Sequence, residues 1–431
     1  MVSGMHRRTA TVLVVGFVAI LVGALLAATA WKPLQATPGD PTAGSQAPYD
    51  GTLAIEPTAF YDPPSPLPDV APGTLLRSEE IKEVPEGVQA WRILYMSKDN
   101  QGKPIAISGY YAEPTRPLAT GNRFPLIALA HGTTGVGRKC GMSQGPFTER
   151  SPGNEYWLFL GESIVDAGYA IVATDYEGMG APGNTPYLLR KQAFDVLDSL
   201  RAAIHLGTGY IDTANLGMIG HSEGGYVALT AADQAAEYAP ELNLRGSVVL
   251  APGVLPPLPA AVATLTGQTA DEKASPRSGY ITTLSQSWLR NYPELTTPEQ
   301  WYTDVGMDAV PQAAELCQGA MVDLLSDTFG TYFRTDLPLN VVKIAALNPP
   351  LLNKSEVPLL IQQGLQDTGV VPPATRGLAA EACRLGDIVE YQEFPDDVHR
   401  SVQFTGRTAY MDWFADRFAG EPAPNQCREL P

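Results

Sequence analysis

Histidine and cysteine are both scarce in this 431-residue chain, with five of the first and four of the second. With so few imidazoles and no Cys-x-x-Cys pair, a zinc site has little to draw on. Basic residues are also short, 29 Lys and Arg against 46 Asp and Glu, for a net charge of −17. No run of Lys or Arg could hold a phosphate backbone, which excludes nucleic acid as a partner. Charged residues of either sign make up only 17%, low for a cytosolic protein, and apolar residues make up 44%. That is enough to bury a sizeable core. The length suits one large domain with an insertion, or two domains.

What is present begins at the amino terminus. In residues 1–32, Arg7 and Arg8 precede an uncharged apolar run from about Ala10 to Trp31, and Ala28-Thr29-Ala30 resembles a cleavage site. This is the layout of a secretory leader or a signal anchor. The run approaches the length that spans a bilayer, so an N-terminal membrane anchor is the alternative to the cleavage that the triplet favours. Either way the protein is expected to be secreted or held in the cell envelope. Residues 33–56 are rich in Pro, Gly, Ala and Thr without periodicity, which reads as a linker. An even number of cysteines in an exported chain suggests disulfides. Cys140, Cys317, Cys383 and Cys427 allow three pairings. The one adopted ties the last segment to the body through Cys383–Cys427 and leaves Cys140 with Cys317.

Beyond about residue 90, short Val/Ile/Leu/Ala runs alternate with helical periodicity, which predicts an α/β fold with a mostly parallel central sheet. WRILYMSKDNQGKPIAISGYYAEP reads as two strands around a turn at Asp99–Gly102, and the stretch from Tyr187 to His205 as a helix. The alternation stops near Pro252. Residues 254–350 hold helical stretches and no convincing strand, and the α/β pattern resumes at EVPLLIQQG. The expected organisation is a core in two parts, 57–253 and 351–431, with an inserted helical cap at 254–350.

Gly-x-Ser-x-Gly occurs twice, as GMSQG around Ser143 and GHSEG around Ser222. Three fixed positions recur by chance in a glycine-rich chain, so context must decide. A nucleophile elbow needs a buried strand before the serine, a helix after it and small residues to relieve the turn. Ser222 has all three: Leu216–Ile219 before it, Gly220, Gly224 and Gly225 around it, and an Ala-rich helix after it. Ser143 lies between Arg138-Lys139-Cys140 and Pro146, which reads as a loop pinned by Cys140.

A serine hydroxyl needs a base. His6 lies in the leader, His221 is expected to point away from its neighbour Ser222, and His205 and His131 precede it. In the chain order Ser…acid…His, only His399, in FPDDVHRS, remains. Asp367, just after the apolar run of LLIQQGLQDTG, is the acid, being better placed than Asp387, Asp396 or Asp397. The oxyanion hole would take the N–H of Glu223 and, from the Gly-rich turn HGTTG, that of Thr133.

These pieces, with FYDPPSPLPDVAPGTLLRSEEI, DYEGMGAPGNTPYL, GLQDTGVVP and DDVH, resemble the secretory lipase family of α/β-hydrolases. That family includes fungal lipase A enzymes and actinobacterial exported lipases. The resemblance runs from about residue 59 to the last helix. It implies a triad of Ser222, Asp367 and His399, a helical lid matching the insertion, and hydrolysis of carboxylic esters, including triacylglycerols. Two disulfides fit it. The expected partner is a lipid ester, with a lipid–water interface as a further candidate, and no metal or organic cofactor is called for. The rivals are an acyltransferase or a peptidase using the same triad, and a non-catalytic lipid-binding protein on the same scaffold.

Overall fold

Five successive buried residues, Ala170–Thr174, show how this sequence makes its sheet. Small and β-branched side chains on both faces suit a strand covered by helices on each side. The computed structural model describes residues 55–115, 123–145, 147–148, 155–254, 276–334 and 339–430. The leader at 1–32, all but the last two residues of the linker at 33–56, and residues 255–275 and 335–338 of the insertion lie outside the described residues.

Among the described residues, nine strands form one sheet in the order β1-β2-β3-β5-β4-β6-β7-β8-β9. They are β1 (Leu75–Ile81), β2 (Val88–Lys98), β3 (Pro104–Pro114), β4 (Phe124–Ala130), β5 (Ala170–Thr174), β6 (Ile211–His221), β7 (Leu244–Leu250), β8 (Leu359–Gly364) and β9 (Val389–Phe394). The first three pair antiparallel, and β3 meets β5 antiparallel. From β5 through β4 and β6 to β9 every pairing is parallel. This is the α/β-hydrolase fold expected from the sequence. Ligands of such sheets bind outside the carboxyl ends of the strands. Ser222, Asp367 and His399 all follow such ends, those of β6, β8 and β9.

Two local expectations change. β1 carries the exposed run Ser78-Glu79-Glu80 on an edge strand that the sequence pattern does not mark. The helix expected from Tyr187 begins only at Gln192 and ends at Leu206. Before it, Leu188 takes a positive φ of 52°, which no helix tolerates.

Between β7 and β8 the described residues form helices Pro276–Asn291, Asp304–Ala314, Gln318–Leu324, Phe329–Tyr332 and Leu339–Leu347. Trp288, Trp301, Val310, Met321 and Phe333 bury themselves in the same apolar cluster as one face of the sheet. The cap therefore shares the core of the body. It also binds the loops at the strand ends. Tyr187 N–H donates to Ser287 Oγ at 2.7 Å, and Gln318 N–H donates to the Thr134 carbonyl at 2.8 Å. The disulfide Cys140–Cys317 fastens the cap to the segment after β4, and Cys383–Cys427 holds the carboxyl-terminal segment, as the adopted pairing has it.

Candidate active site

β6 ends on His221, and the next helix runs Glu223–Tyr238. Ser222 alone makes the turn, at φ 60° and ψ −121°. A non-glycine residue rarely holds that conformation, and such strain is kept where the surroundings over-determine it. Here Ser222 N–H donates to the Leu250 carbonyl at 3.0 Å, and its own carbonyl accepts from Tyr226 at 3.1 Å and Gly253 at 2.6 Å. The approach is close. A Cβ on Gly220 would stand 2.0 Å from the Gly224 carbonyl oxygen. One on Gly224 would stand 1.9 Å from that of Ala130.

The other residues arrive from different strands. His399 Nε2 lies 2.9 Å from Ser222 Oγ. On its other side His399 Nδ1 lies 2.7 Å from Asp367 Oδ2. Asp367 is buried, 3% exposed. Its Oδ1 accepts the N–H groups of Gly369 and Val370, both at 2.8 Å, and Oδ2 also accepts Gln363 Nε2 at 3.2 Å. The carboxylate is thus oriented on both oxygens. Asp387 instead accepts Ser355 N–H at 2.7 Å, and Asp397 accepts Thr405 Oγ1 at 2.9 Å.

Thr133 and Glu223 stand beside this chain of bonds. In the parallel β4–β6 pair Ala130 is level with Gly220, so the HGTTG turn begins alongside the Ser222 turn. Glu223 opens the helix, where free N–H groups and the helix dipole favour a negative charge. The Thr133 hydroxyl donates to Tyr187 Oη at 3.1 Å. The chain of bonds Asp367–His399–Ser222 therefore faces the start of a helix and a glycine-rich turn. Chemically this arrangement can activate a hydroxyl and receive an oxyanion.

Ser143 is elsewhere and fully buried. Its hydroxyl donates to Asp175 Oδ2 at 2.6 Å, beside Ser108 Oγ at 2.6 Å, and meets Tyr61 Oη at 3.1 Å. The second motif copy is a buried polar knot with its hydroxyl committed. His131 is buried and pushed down to about 4 by that burial, and its Nδ1 lies 2.7 Å from the Gly132 carbonyl. His205 Nδ1 lies 2.8 Å from the Gly73 carbonyl.

Two side chains in the motif carry more than sequence reasoning assigned them. The Glu223 side chain is 1% exposed and accepts Gln192 Nε2 at 2.7 Å. Burial is the main cause that pushes its carboxyl up to about 8, against the hydrogen bond from Gln192. The folded chain then keeps a proton that the unfolded chain releases near its ordinary 4.5. The stability this gives is complete below the lower value and is lost as pH rises through the upper one. Glu223→Gln, of the same shape but never charged, should therefore gain on the wild type from pH 5 to 8, by on the order of a few kcal/mol. Urea unfolding of both proteins across that range checks it, and parallel pH slopes would contradict a protonated Glu223.

His221, expected to point away, is buried against the His399 ring with centroids 4.6 Å apart. No signal in the sequence marks it, because its partners come from distant loops.

Comparisons with known proteins bear on the family and the fold. A family model described as secretory lipase matches residues 156–426. A probable inactive lipase of Mycobacterium tuberculosis is 25% identical, covering 84% of this chain and 82% of its own. Lipase 10 of Candida albicans is 25% identical, covering 86% and 82%. Among solved structures, Candida antarctica lipase A superposes with a TM-score of 0.69 at 17% identity, covering 87% of this chain and 89% of its own. That last likeness speaks for the fold.

Proposed function

The chain belongs to the secretory lipase family, and on that premise we propose that it is an exported serine hydrolase cleaving carboxylic esters of lipids through an acyl-enzyme on Ser222. The observation that carries this reading is the unbroken run of hydrogen bonds from Asp367 through His399 to Ser222.

Ser222 Oγ attacks the ester carbonyl carbon while its proton passes to His399 Nε2. Asp367 holds Nδ1–H, fixing the tautomer that leaves Nε2 free to accept, and stabilises the imidazolium that forms. The carbonyl oxygen becomes an oxyanion and takes hydrogen bonds from the N–H groups of Thr133 and Glu223. Collapse breaks the bond to the alcohol oxygen, which leaves with the proton from Nε2. Water then attacks the acyl carbon while its proton passes to His399 Nε2, and collapse breaks the bond to Ser222 Oγ, which takes that proton back as the acid leaves. The acyl chain lies under the helical cap, whose Leu, Val, Ala and aromatic content suits an apolar tunnel. The two disulfides and the leader are consistent with an oxidising compartment outside the cytosol.

The name of the Mycobacterium tuberculosis relative favours a second, non-catalytic reading. Against it, the nucleophile, base and acid all stand within bonding distance in this chain. A series of p-nitrophenyl esters from short to long acyl chains, assayed beside Ser222→Ala, separates the two. The expected result is hydrolysis that vanishes in Ser222→Ala and does not fall steeply with chain length. Activity equal in both proteins would overturn the assignment, and a steep preference for the shortest chains would make it an esterase rather than a lipase. Adding a competing alcohol and analysing the products tests for acyl transfer.

A further inference from the structure

His399 must present one ring nitrogen to Asp367 and the other to Ser222 at once. It sits in a turn between β9 and the short helix Val402–Thr405, so its side-chain bonds alone do not fix where its backbone lies. The main-chain carbonyl of His399 accepts from His221 Nε2 at 2.7 Å. A carbonyl carries no proton, so Nε2 is the protonated nitrogen of His221. Nδ1 of a neutral ring is then an acceptor, and Tyr156 Oη stands 3.1 Å from it as the donor. Every hydrogen-bonding atom of this buried imidazole is satisfied in a single tautomer.

The segment that supplies Tyr156 grips the same turn a second time. Glu155 forms an ion pair with Arg400, the residue after His399. The Arg400 guanidinium also lies over the Phe159 ring at 5.3 Å. Both contacts come from around a π-helical turn, Trp157–Gly161, a rare form that recurs at functional sites. Tyr156 also rests on the oxyanion turn, since a Cβ on Gly132 would stand 1.9 Å from its Oη.

We infer that His221 is a positioning residue: its Nε2–H holds the backbone of His399, with Tyr156 fixing the required tautomer, so that the base stays in line with Ser222. Burial, then the neighbouring His399, hold the His221 ring well below the usual histidine range. It therefore stays neutral and keeps a positive charge away from the base that must itself become charged. The residue before the serine in the motif, which looks like a spacer in the sequence, is the link between the elbow and the turn that carries the base.

This inference rests on the catalytic reading above. Its test is steady-state hydrolysis of a p-nitrophenyl ester by the purified protein and by His221→Leu, His221→Gln and Tyr156→Phe, with Ser222→Ala as the blank and thermal unfolding as the check on folding. His221→Leu should lower kcat by about 10²-fold, the cost of a misplaced catalytic group, with KM within about threefold. The amide N–H of His221→Gln can reach the same carbonyl and should recover about tenfold of that loss. Tyr156→Phe, which deletes one hydroxyl, should lower kcat by roughly three- to tenfold. A folded His221→Leu with wild-type kcat, or a Gln variant no better than Leu, overturns the inference. If the Leu variant does not fold, Tyr156→Phe decides, since unchanged kcat there overturns it equally. Ser222-dependent hydrolysis that ignores His221 sinks this inference alone, whereas hydrolysis that ignores Ser222 sinks the catalytic reading.

Discussion

His399→Ala will lower kcat for a short p-nitrophenyl ester by about 10⁶-fold, and adding Ser222→Ala will remove little more. A nucleophile and its base act as one unit, so losing either loses nearly all that both supply. KM should hold, because neither side chain is needed to seat the acyl chain. Asp367→Asn should cost less, about 10⁴-fold, and for a reason visible in the bonding. Two backbone N–H groups, of Gly369 and Val370, point at Oδ1. An Asn would turn its only acceptor toward them, leaving its NH₂ facing His399 Nδ1. The imidazole must then carry its proton on Nε2, where it cannot accept one from Ser222. Kinetics of the three single variants and the double variant check this. Additive losses in the double variant would mean that Ser222 and His399 do not work as a unit.

The residues that this prediction names could be picked out of the sequence because scarcity and context did the selecting. Only one of the five histidines follows the second Gly-x-Ser-x-Gly, and only one copy of that motif has a strand before it and a helix after it. Ser143 shows why the motif alone is insufficient, since the same spacing there builds a buried knot around Asp175. β1 is not legible in the sequence because an edge strand with Arg77, Ser78, Glu79 and Glu80 in succession lacks the apolar alternation that marks a half-buried strand. The late start of the helix at Gln192 reflects tertiary override. Tyr187–Lys191 have helical composition, but the Tyr187 backbone bonds to the cap through Ser287 and Trp288 instead. His221 was illegible for a different reason. Its meaning lies in Tyr156, 65 residues before it, and His399, 178 after it. No local pattern encodes either contact. The side chain of Glu223 is a similar case, its hydrogen-bond partner Gln192 lying 31 residues before it.

Gly224→Ala should be strongly damaging although it adds a single methyl group. By helix propensity alone the change would help, because alanine is favoured over glycine inside a helix by about 1 kcal/mol. Sterics reverse the sign. The new Cβ would stand 1.9 Å from the Ala130 oxygen and 2.7 Å from the His131 oxygen, both main-chain atoms at the end of a buried strand. Neither can swing aside as a flexible side chain would. The helix start must retreat from β4, and that separates the two segments proposed to supply oxyanion donors, Glu223 on the helix and Thr133 beyond the strand. The expected cost is about 1–3 kcal/mol in stability and about 10²–10³-fold in kcat, the loss typical of a missing oxyanion donor. Gly377 is the control, lying in the helix Pro372–Leu385 with nothing beyond its chain neighbours and its own helix backbone within 4 Å of its would-be Cβ. Gly377→Ala should raise stability by roughly 0.5–1 kcal/mol and leave kcat alone. Melting temperatures and kcat of both variants settle the matter. A Gly224→Ala protein with wild-type turnover would mean that the close approach of helix and strand does not hold the oxyanion site together.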